Sequence, residues 1–96
     1  MMMCGGFGQA KPADEEVKKI ALEVKPQVEQ RANGSFQVFE AVSYTTQVVA
    51  GTNYKIKVKI GDNQFVHIKV FKPLPCANLP LEVLEVKPGK KLGDAL

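Results

Sequence analysis

Cysteine and histidine are nearly missing from this chain. Its 96 residues include two cysteines, Cys4 and Cys76, and one histidine, His67. Two distant cysteines do not make the disulfide framework of a small secreted domain. One histidine with cysteines at unrelated spacings makes no zinc signature, so no metal site is expected. Cys4 and His67 could be imagined as a nucleophile and its base. Cys4, however, lies in a glycine-rich tail expected to be too mobile for a fixed catalytic geometry. Gly5, Gly6 and Gly8 do not form a phosphate loop, since no strand precedes them and no Lys-Ser/Thr pair follows. The residues therefore argue against an enzyme, and no cofactor is expected.

Long hydrophobic runs are missing as well. No apolar stretch approaches the ~20 residues of a membrane span. The opening Met1-Met2-Met3-Cys4-Gly5-Gly6 lacks the basic and apolar regions of a secretory signal. Strong charge of one sign is also missing: 13 basic residues against 10 acidic ones leave a net charge of +3. That is too mild to argue for nucleic acid. A cytoplasmic chain, or one also found in the nucleus, is expected, with neither membrane nor nucleic acid as partner. Asn33-Gly34-Ser35 matches a glycosylation sequon, but without secretion it reads as a turn that ends a helix.

What is present suits one domain over residues 1–96. The chain is 45% hydrophobic and 24% charged, and a core of this size needs no staple. Residues 1–12 have no periodicity and are expected to be a flexible trunk. Asp14, Glu15 and Glu16 place negative charge where a helix N-terminus favours it. Val17, Ile20, Ala21, Val24 and Val28 then draw one apolar stripe. The pattern predicts a helix within 13–33, kinked at Pro26 and closed by a left-handed cap at Asn33-Gly34. Antiparallel strands are expected over 36–87: Phe36 to Val49, Thr52 to Ile60, Gln64 to Lys72 and Leu81 to Lys87. A basic tail, 88–96, follows. One helix followed by a meander is an α+β pattern. Lys55, Lys57 and Lys59 alternate with apolar residues and are expected to face solvent. No aromatics are interleaved with them to stack bases. His67 is expected on the surface of the sheet.

The segment Gln47-Val48-Val49-Ala50-Gly51 stands out. Strand-like sequence flanks it on both sides, so its valines fall at or near a hairpin tip. Hairpin tips normally carry polar turn residues. An apolar tip suggests a surface that is buried in a partner. Taken alone, the valines could equally pack on a neighbouring loop.

The run Thr46-Gln47-Val48-Val49-Ala50-Gly51-Thr52-Asn53-Tyr54, Leu74-Pro75 in a later loop, and Val66-His67-Ile68-Lys69-Val70-Phe71 resemble the cystatin superfamily. Within it they are most similar to the stefins, the type 1 branch. Met3-Cys4-Gly5 resembles B-type stefins, whereas Lys25-Pro26-Gln27 and Gly61-Asp62-Asn63 look more A-type. The resemblance implies a four- to five-stranded antiparallel sheet wrapped around one helix. It implies a reversible, non-covalent, tight-binding inhibitor of papain-like cysteine proteases, the cathepsins of L, S, H and B type. Gly5 would mark a trunk contact, Gln47, Val48, Val49, Ala50 and Gly51 a first loop, and Leu74 and Pro75 a second. Cys4, Gly6 and Cys76 would be secondary contacts, Cys76 replacing other residues found in stefins. A monomer is expected, with a domain-swapped or Cys4-linked dimer as alternatives. A non-inhibitory or engineered binding scaffold on the same fold is the competing function.

Overall fold

The structure is a computed structural model and describes residues 8–96. Cys4, Gly5 and Gly6 lie outside the described residues. Helix α1, Glu15–Ala32, is preceded by strand β1, Lys11–Pro12. Strands β2, Glu40–Val49, β3, Gly51–Gly61, β4, Gln64–Lys72, and β5, Glu82–Lys90, follow. All pair antiparallel in one five-stranded sheet of order β1-β2-β3-β4-β5. This is the α+β architecture expected, a single helix packed on an antiparallel sheet.

The apolar stripe explains the packing. Val17, Ile20, Ala21, Val24 and Val28 are the buried residues of α1. They share a core with Ile56 and Val58 of β3, Val66, Ile68 and Val70 of β4, and Val83 of β5. Period 3.6 on the helix and period 2 on the strands present these side chains to one another. The Asp14 side chain caps the helix, accepting a hydrogen bond from Val17 N at 2.9 Å. α1 runs without interruption through Pro26. Proline leaves the carbonyl four residues back without its helical donor. That residue is Leu22, which is exposed, so water can take the donor's place. Asn33 itself takes the left-handed conformation at the C-cap, φ 61°.

Several boundaries differ from the sequence expectation. Residues 11–12 are not a free trunk but pair with Tyr44 and Ser43 of β2. β2 begins at Glu40 rather than Phe36. The intervening residues serve the connection: Phe36 N donates to Glu29 Oε2 at 2.8 Å, and the Phe36 and Phe39 rings stack 5.7 Å apart. β5 continues through Pro88 and Gly89 to Lys90. An edge strand tolerates a proline. An extra residue bulges between the pairs Phe65–Lys90 and His67–Lys87, with Gly89 at φ 73°.

The outer face of the sheet holds the largest correction. Lys57 does not face solvent; it is buried. Residues 91–96 cross this face, and Lys57 Nζ donates to the carbonyl of Asp94 at 2.6 Å and to that of Leu92. Lys55 Nζ donates to the Leu96 carbonyl at 3.4 Å. His67, directly opposite Lys57, is only 8% exposed, and its Nε2 is buried without a partner. Burial first, then the Lys57 ammonium, push its pKa down. Alternation put these side chains on the outer face correctly but carried no sign of a strap over it.

Candidate functional site

The β2–β3 turn is very tight. Val49 pairs with Gly51, leaving Ala50 alone at the tip. Val48 is 71% exposed and Val49 44%. Strand geometry turns the two valines to opposite faces, so the hairpin ends in an apolar blade. Gln47 and Asn53 are cross-strand partners beneath it, and Asn53 Nδ2 donates to Gln47 Oε1 at 2.9 Å. That bond staples the hairpin just below its tip.

Gly51 fixes the blade against the next strand. Its φ is +126°, a region L side chains rarely adopt. A Cβ there would lie 2.6 Å from the Lys72 carbonyl oxygen and 2.8 Å from the Phe71 ring. The first hairpin therefore seats directly on the end of β4, where the next loop begins.

That next loop holds Leu74 and Pro75. Residues 75–77 form one turn of 3-10 helix, closed by Ala77 N donating to the Leu74 carbonyl at 2.9 Å. Asn78 reverses the chain at φ 54°. Leu74 is 47% exposed, and Cys76 is an exposed free thiol. At the loop's root Lys72 Nζ pairs with Glu16 Oε2 of α1 at 2.9 Å, a bond that raises the lysine pKa. Both groups are half exposed, so the pair orients more than it stabilises.

On the other flank, the N-terminal segment reaches the same end of the sheet. Gly8 N donates to the Thr46 carbonyl at 3.3 Å, and Thr45 Oγ1 donates to the Gly8 carbonyl at 2.5 Å. Thr45 is buried. Lower down, Tyr44 Oη donates to Asp14 Oδ2 at 3.0 Å. The Val17 N–H bond first, and this one second, hold the Asp14 carboxyl below its usual range. The same contact raises the tyrosine pKa.

The structure thus brings Gln47, Val48, Val49, Ala50, Gly51, Leu74 and Pro75 to one end of the sheet. Gly8, the first of the described residues, is held at the same end by Thr45 and Thr46. The contacts of Thr45 with Gly8 and of Phe71 with Gly51, and the exposure of Leu79, escaped the sequence reading. Leu79 carried a usable signal, being an apolar residue in a proline-rich loop, as Val48 was at a hairpin tip. Among the described residues no group of His, Cys, Asp and Glu side chains could hold a metal ion. No helix among them is long and apolar enough to cross a membrane.

Comparison with known proteins shows the family of the chain. The cystatin domain profile matches residues 5–90. Cystatin-A from Felis catus is 50% identical over 95 residues, covering 99% of this chain and 97% of its own. Human cystatin-B is 47% identical with the same coverage. Leukocyte cysteine proteinase inhibitor 1 from Sus scrofa is 45% identical, over 99% of this chain and 92% of its own. The chain belongs to the cystatin family, and within it to the stefins.

Proposed function

We propose that this protein is a reversible, non-covalent inhibitor of papain-like cysteine proteases. The observation that carries the reading is the exposed blade of Val48 and Val49, set beside Leu74 at one end of a rigid sheet. The name of the porcine relative, a cysteine proteinase inhibitor, supports it. In this reading the blade, the loop at Leu74-Pro75 and the segment through Gly5 enter the protease cleft together as a wedge. Cys4, Gly6 and Cys76 make secondary contacts. Burying a valine or leucine is worth roughly 1.5–3 kcal/mol. Three such side chains supply about half of the ~12 kcal/mol behind nanomolar affinity. Because one scaffold holds the segments, they share a single association entropy.

Nothing on this surface has to react. Attack needs a carbonyl about 3–3.5 Å from the nucleophile with aligned orbitals. A tight turn seated on β4 fills the cleft without offering a peptide bond in that pose, so the inhibitor survives the encounter. The protein acts as a monomer in the cytoplasm, on cathepsin-type enzymes. Two cysteines outside any disulfide framework suit a reducing compartment. Titration of papain with the purified chain tests the proposal. Stoichiometric loss of activity is expected; full activity at micromolar protein would overturn it.

A further inference from the structure

Among the described residues, the loop that holds Leu74 exposes a second leucine that the reading above does not use. Leu79 is 65% exposed, although it sits between Asn78 and Pro80 in a loop already closed by its own hydrogen bonds. Leu74 and Leu79 line the mouth of an open groove of about 490 Å³ between this loop and α1. Its floor includes Ile20, which is buried, and Leu81; Lys19 and Glu23 stand on the helical side. An apolar centre with a charged rim is the anatomy of a protein interface.

We propose that Leu79 is a fourth contact of the inhibitory surface. The groove it shares with Leu74 receives an apolar side chain from the rim of the protease cleft. This rests on the function proposed above and extends it. The argument is continuity: Leu74 lines the same groove, so a protease seated on Leu74 meets the groove that Leu79 also lines. The 3-10 turn that joins the two leucines is already folded, so little ordering entropy opposes the contact.

The test compares Leu79→Ser, Leu79→Met and Leu92→Ser, the last an exposed leucine at the opposite end beside Glu40 and Lys59. Inhibition constants and dissociation rates are measured with papain, alongside thermal melting. Leu79→Ser should raise the inhibition constant about tenfold, mainly through faster dissociation. Its melting temperature should not change. Leu79→Met and Leu92→Ser should inhibit like the parent. If Leu79→Ser inhibits like the parent while Val48→Asp loses inhibition, this inference is wrong and the proposed function stands. The inference is equally wrong if Leu79→Ser only breaks self-association. If the parent chain leaves papain fully active, both fall.

Discussion

At the scale of single residues, exposure and conformation divide the candidate site into side chains proposed to bind and groups that shape the turn. Val48 is an exposed apolar side chain with no role in the core. Val48→Asp should weaken papain inhibition by at least about 3 kcal/mol, a hundredfold or more, because it buries a charge in an apolar cleft. Thermal melting should stay at the parent value. Gly51 is the opposite case. Gly51→Ala places a Cβ against the Lys72 carbonyl and the Phe71 ring at a positive φ. It should cost roughly 1–3 kcal/mol, seen as a melting temperature lower by at least about 5 °C, with weaker inhibition as well. The valines were legible because an apolar tip contradicts turn chemistry. The role of Gly51 was not, since its conflict is with Phe71 and Lys72, far along the chain. Lys57 was misread for a related reason: alternation fixes which face a strand residue takes, not what later covers that face.

At the scale of elements, side chains of α1 and the segment after β5 protect parts of the sheet that would otherwise be open. Gln27 holds the start of the edge strand, donating from Nε2 to the carbonyl of Leu81, just before β5, and accepting from Val83 N, both at 3.1 Å. Open edges invite pairing with other chains. Gln27→Leu keeps helix propensity but leaves the N–H of buried Val83 without a partner. It should lower stability by about 1–3 kcal/mol in urea denaturation. The helix itself was readable end to end from its stripe and its acidic first turn. The start of β2 was not, because Phe36 and Phe39 have strand-like composition while serving a connection.

The strap at 91–96 makes stability depend on pH. His67 faces Lys57 on β3, Lys87 and Lys90 on β5, and Asp94 on the strap; Asp94 alone raises its pKa, and burial and the lysines outweigh it. The folded pKa therefore lies below the ordinary 6.5, and the unfolded chain takes up the proton first as pH falls. The contribution of this group is intact above about pH 6.5 and declines as pH falls from there toward the lowered value. Asp14, also lowered, weakens the fold only as pH drops below its ordinary 3.8. Melting temperature should thus fall in the parent as pH drops below about 6.5. In His67→Gln that decline should be smaller. Thermal melts across this range check it, and equal slopes in both proteins would show that His67 is not the group responsible.

At the scale of the whole molecule, the extents are 40 × 29 × 22 Å. β3 has 11 residues; at about 3.4 Å each it spans most of the longest dimension. The blade and the loop at Leu74 therefore occupy one end, and the turn at Gly61-Asp62-Asn63 occupies the other. This arrangement was legible because the connections from β2 to β5 are short and sequential, so strand order follows chain order. The meeting of the two loops was harder to see from the residues alone, since it depends on register: Val48 pairs with Thr52, and Thr52 with Lys72. The central claim is that this end, and no other, enters the cleft without reacting. It is tested by amide NMR of the labelled chain with papain whose catalytic cysteine is replaced by serine. Tight binding should persist, with signals perturbed at 46–52 and 72–80 and unchanged at 59–64. Loss of binding without the thiol, or perturbations centred on 59–64, would contradict it.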